Sequence, residues 1–193
     1  MSSCESAKRT SCARIVLPAV VVLLGFLSPT SKAFDGQRRG FAIGVGAGWG
    51  AVTHLQVTSD DMQETSQSWT FVVPIGWGLS NTDLIAFLPA PSFFKSDLFD
   101  GASSMQGLWS VRWYHYFAPS GPSAFVSGGA GRAVFNSSCG DLNAAGVGVG
   151  LSAGYEFLPH CSIEAQYFHG WTSEGNMDFG HDNLSIILVA TAY

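Results

Sequence analysis

An all-β fold, a closed eight-stranded antiparallel up-and-down transmembrane β-barrel, is predicted by three observations on this 193-residue chain. Apolar residues alternate with glycine or small polar residues over long runs. Charged residues make up only 12% of the chain, against roughly 25% in soluble domains. The connections between the runs alternate between long and short, as the outer loops and periplasmic turns of outer-membrane barrels do. Net charge is −5, and no basic stripe exists to neutralise phosphates, so nucleic acid is excluded as a partner. So apolar a composition also excludes a disordered chain, and so few charges disfavour a soluble enzyme.

Residues 1–33 read as a signal peptide. Lys8, Arg9 and Arg14 precede the apolar run from Ile15 to Leu27, which is too short to span a bilayer but suits an export signal. Ser31 and Ala33 supply the small residues for cleavage, so the mature domain is expected to be 34–193, beginning at Phe34. Loss of Lys8, Arg9, Arg14, Lys32 and Glu5 takes its net charge to about −8. Cys139 and Cys161 are the mature cysteines, too few for a disulfide scaffold.

The first strand is expected over 41–56, where Phe41, Ile43, Val45, Ala47 and Trp49 alternate with small residues and glycines. A second follows at 68–79, with Trp69, Phe71, Val73, Ile75, Trp77 and Leu79 on one row. A row without charge opposite an apolar row marks a transmembrane strand, because a half-buried soluble strand has a polar second face. The third, 83–91, carries Pro89 and Pro91, which cannot donate to a ladder, and Pro74 in the second predicts a bulge or distortion. Strands at 106–117, 123–135, 144–157, 161–170 and 183–193 complete the eight. The long connections 57–67, 92–105, 136–143 and 171–182 hold most of the acids, and an even strand count puts both termini on the periplasmic side. With strand six between them, Cys139 and Cys161 stand about 35 Å apart in height, beyond the ~7 Å a disulfide allows. Aromatics at strand ends, such as Trp69, Trp77, Trp109 and Trp171, fall where interface girdles lie.

The stretch Arg39-Gly40-Phe41 to Trp49 resembles the first strand of small outer-membrane barrel proteins of the OmpA/OmpX type. The hairpins Trp113 to Gly129 and Gly154 to Ala165 are similar to later hairpins of that superfamily. The terminal row Ile187, Val189, Thr191, Tyr193 is similar to the ending that the barrel-assembly machinery reads, although Tyr replaces the commoner Phe. The resemblance covers the mature chain and is architectural. It implies outer-membrane localisation, with outer-membrane lipids, lipopolysaccharide and the assembly machinery as partners, and an extracellular partner at the acidic loops.

Arg112, Glu156 and Glu164 fall on inward rows, and an ionisable group at membrane depth is costly unless paired. The expected arrangement is a structural polar plug in which Arg112 pairs with Glu156 or Glu164. Eight strands leave an interior just wide enough for side chains, so a narrow small-solute channel is the weaker alternative. The other alternative is a lipid A-modifying hydrolase. Tyr167-Phe168-His169 resembles the approach to the motif of lipid A deacylases, where a serine stands two residues after the histidine; here that position is Trp171. Ser173, four residues on, is the remaining nucleophile candidate, with Asp182 or Glu174 as the acid. The five histidines show no metal-ligand spacing, the Gly-x-Gly runs lack the setting of a nucleotide loop, and no cofactor is implied. A non-enzymatic structural or surface-interaction protein is therefore the expected function.

Overall fold

The structure is a computed structural model that describes residues 37–57, 62–138 and 142–193, with backbone alone for 51–57, 62 and 63. The expected signal peptide and Cys139 lie outside the described residues. The strands are β1 (Gly40–Val57), β2 (Met62–Val72), β3 (Ile75–Gly78), β4 (Asp83–Ser96), β5 (Ala102–Tyr116), β6 (Ser123–Ser137), β7 (Asn143–Leu158), β8 (Cys161–Glu174) and β9 (Met177–Ala192). They form one antiparallel sheet in the order β2-β1-β3-β4-β5-β6-β7-β8-β9, with further pairings of β2 to β4 and β1 to β9.

The expected closed eight-stranded barrel is corrected to nine strands in a ring-like sheet. The ninth strand arises where 68–79 was expected to be continuous. Pro74 has no N–H to give the ladder, and the segment divides into β2 and β3 on either side of Val73 and Pro74. The expected bulge is absent at this break, because β1 keeps one register along both pieces, from Gly46↔Val72 to Ile43↔Ile75. The irregularity lies instead further along β1, between Gly50 and Thr53.

The third expected strand does not stop at Pro91; β4 runs on to Ser96. The long connection expected over 171–182 is replaced by continued β8 and β9, paired to Glu174↔Met177, with Gly175 turning at a φ of 60°. Backbone pairing does not require apolar side chains, so the ladder outlasts the hydrophobic rows that revealed it. The rim carrying Gly40, Ala192 and the turns 79–82, 117–122 and 159–160 is called the terminal rim, and the opposite one the far rim.

Side chains alternate across the wall. All six tryptophans face outward, among them Trp69 at 62% exposure, together with Val147, Leu151, Ile186 and Leu188. Inward residues stack in layers from Tyr116 and Phe125 near the terminal rim, through Leu88 and Ile187, then Leu108 and Phe168, to Phe94, Phe135 and Phe179 towards the far rim. Inward glycines let opposite walls and long side chains approach: a Cβ on Gly129 would lie 2.8 Å from both Cα and Cγ of Arg112.

Candidate functional site

At the terminal rim, Arg38 turns inward from the residues that precede β1 and is 1% exposed. Its Nη2 lies 3.0 Å from Glu156 Oε2, and Nε donates to the same oxygen at 3.1 Å. Nη1 donates to the carbonyls of Asn81 (3.0 Å) and Ala118 (2.8 Å), in two different turns. The guanidinium stacks 3.9 Å from the Tyr116 ring centroid, and the Tyr116 hydroxyl meets that of Tyr193 at 3.1 Å. One buried cation thus joins the start of the sheet, two turns and the chain end.

Arg38 was not among the sequence candidates. The signal was available: the even row Ala42, Gly40 runs straight back to Arg38. Glu156, expected to pair with Arg112, is taken by Arg38 instead. Ser123 stands opposite Glu156 and Gly129 opposite Arg112, so about six residues, roughly 20 Å of β6, separate the two levels.

Arg112 is fully buried and donates from Nε to Ser110 Oγ at 3.1 Å, while Nη1 and Nη2 have no hydrogen-bond partner. Among the described residues no ion pair joins it to Glu156 or Glu164. Glu164 is buried with Oε1 unpartnered, and both polar atoms of the Gln166 amide are likewise unpartnered. Glu164 and Gln166 border a cavity of about 30 Å³ whose other walls include Val72, Leu88, Phe125 and Val189.

On the outer face, His169 Nδ1 lies 2.6 Å from Asp182 Oδ1, and the Tyr167 hydroxyl donates to the same oxygen at 2.5 Å. Trp171 packs edge-on against the imidazole, with centroids 4.2 Å apart. Ser173 lies on the same outward row, opposite Ala145 and Asp178. Four residues of strand, about 13 Å, separate it from His169, so the base and the candidate nucleophile do not meet. Among the described residues no group of His, Cys, Asp and Glu could hold a metal ion. Cys161, at the start of β8, is a free thiol.

Two acids order the rims. Asp83 Oδ1 accepts from His115 Nδ1 (3.0 Å) and Trp113 Nε1 (3.2 Å), and Oδ2 from Thr82 and Ser80. The His115 hydrogen bond first, then those of Thr82 and Ser80, hold its carboxyl down at about 2. At the far rim Glu64 accepts from Ser66, Ser96 and the backbone N–H groups of Asp97 and Leu98. Desolvation alone would raise its pKa, but these four hydrogen bonds together outweigh it and the value is lowered.

No family model and no curated relative matches the chain. Solved structures do. Neisserial surface protein A aligns with a TM-score of 0.52 at 12% identity, over 78% of this chain and 96% of that one. The outer-membrane enzyme PagL aligns at 0.48 and 13% identity, over 77% and 98%. Ail, the attachment invasion locus protein of Yersinia pestis, aligns at 0.43 and 12% identity, over 78% and 99%. At such identities the likeness concerns the fold alone, and that to Neisserial surface protein A agrees with the geometry: this chain has a small outer-membrane β-barrel-like fold.

Proposed function

We propose that the chain is an integral outer-membrane protein of a Gram-negative-type envelope, non-enzymatic, with a structural or surface-interaction role. The observation that carries this reading is the inverted wall: tryptophans and aliphatic residues outside, serines, Thr70, Gln106, Arg112 and Glu164 inside. A soluble protein could not expose so continuous an apolar surface, whereas lipid covers it at no cost. Its contacts are outer-membrane lipids and lipopolysaccharide along the wall, the assembly machinery during insertion, and an extracellular partner at the acidic far rim. The packed layers of Leu108, Phe168 and Arg112, all fully buried, argue against a pore. The separation of His169 from Ser173 argues against the hydrolase.

Fractionation tests the location: the folded protein should sediment with outer membranes and migrate on gels in a heat-modifiable manner. Recovery in the soluble periplasmic fraction would overturn the proposal. Lipid A deacylation lost in a His169→Ala variant would overturn its non-enzymatic part.

A further inference from the structure

The ring wall has a seam between β4 and the β2–β3 line. β4 holds β2 at Ser68↔Phe94, Trp69↔Phe93 and Thr70↔Ser92, and holds β3 from Ile75↔Phe87 to Gly78↔Leu84. Between them the same register sets Phe71 opposite Pro91 and Val73 opposite Pro89. Each of these pairs would exchange two hydrogen bonds in a regular ladder, and each has lost one donor to proline. Val73 N–H to the Pro89 carbonyl, at a long 3.3 Å, spans this stretch. Regular ladder pairing is interrupted across Phe71–Pro74 and Leu88–Pro91 on this side, although β1 stays paired along β2 and β3 on the other.

The seam is also the wall of the interior cavity. Val72, Pro74 and Leu88 line it, and Glu164 and Gln166 border it with buried polar atoms that have no partner. Its volume of about 30 Å³ takes roughly two water-sized groups, so anything larger needs a wall to yield. Arg38, Tyr116 and Tyr193 narrow the terminal rim, and Arg112, Leu108 and Phe168 fill the layer towards the far rim. The seam is where the cavity wall lacks ladder hydrogen bonds, and its outer side bears Phe71, Val73 and Phe87.

We propose that this seam is a lateral entry, and that the cavity behind it takes a small apolar molecule with one hydrogen-bonding group, of phenol size, from the lipid phase. The apolar body lies against Val72, Leu88 and Val189, and its polar group against Glu164 and Gln166. Parting of Val72 and Leu88 makes the room. The inference rests on the outer-membrane reading proposed above.

The test uses the mature chain in phospholipid nanodiscs, with 4-fluorophenol as the probe and ¹⁹F NMR exchange as the readout. Heat-modifiable migration of the same sample reports insertion. A bound resonance is expected, and its shift should change in Glu164→Leu. Val72 and Ala90 face each other in a non-hydrogen-bonded position, close enough for a disulfide. Val72→Cys with Ala90→Cys, in a background with Cys139→Ser and Cys161→Ser, should slow exchange at least tenfold when oxidised and recover on reduction. Pro89→Ala with Pro91→Ala restores the missing donors and should also slow exchange, without any cross-link. A folded, inserted protein with no bound resonance, or with exchange unchanged by both the cross-link and the proline replacements, would overturn the entry alone. Failure to insert would overturn the outer-membrane reading and the entry with it.

Discussion

Arg38 and Glu156 stand 118 residues apart in sequence and 3.0 Å apart in space, both buried at the terminal rim. The pair brings the lead into β1 against the end of β7, and through Tyr116 it reaches Tyr193. A charge in such a place is tolerated because an anion, two carbonyls and an aromatic face surround it.

Arg38→Met should therefore cost about 3–5 kcal/mol, because Glu156 is left buried without its cation. Urea unfolding in detergent, followed by gel migration, checks this. The double variant Arg38→Met with Glu156→Met should recover much of the loss. An unchanged midpoint in the single variant would show that the pair does not hold the rim.

Asp83 gives a pH prediction. Its folded pKa, about 2, lies below the ordinary value of 3.8 for an aspartate. Its contribution to stability is therefore complete above about pH 4, and is lost as pH falls through about 2. Carboxyl ¹³C shifts should give a titration midpoint near 2, rising in His115→Ala. A midpoint at the ordinary value in the native chain would contradict the hydrogen-bond set.

Glu64 should hold the β4–β5 connection in order. In Glu64→Ala the amides of Asp97 and Leu98 lose their acceptor, and their hydrogen exchange should quicken about tenfold. Unchanged exchange at both amides would remove Glu64 from that role.

Two inward glycines should differ. A Cβ on Gly131 would press on the Trp109 carbonyl oxygen, which is backbone and cannot move aside, whereas one on Gly150 meets the end of the flexible Arg112 side chain. Gly131→Ala should cost about 1–3 kcal/mol and Gly150→Ala less, measured by the same unfolding assay. Equal costs would mean that Arg112 is as rigid as the wall.

Much of this architecture was legible in the alternating rows, since a residue such as Val147 differs from Gly146 only by parity and the two faces meet different surroundings. Three features were hidden for separate reasons. Arg38 precedes Phe41, the first residue of the apolar row of β1, so hydrophobic pattern passes over it and only parity carried back from Ala42 finds it. The break at Pro74 was visible as a disturbance, but whether a strand bulges or divides depends on its neighbours, and β1 holds both pieces in line. The polar ends of β8 and β9 pair through backbone groups, which no side-chain pattern reports. The outer cluster was half legible. Asp182 was one of two acids expected beside His169, but cross-strand register decides that these two meet and that Ser173 stays away.

The central claim, that the outward face lies in lipid, is tested most directly by the tryptophans, since all six are outward and none is in the interior. In vesicles of brominated phospholipid their fluorescence should be strongly quenched, while acrylamide in the water should have little effect. Strong quenching by acrylamide with none by the brominated chains would contradict the account.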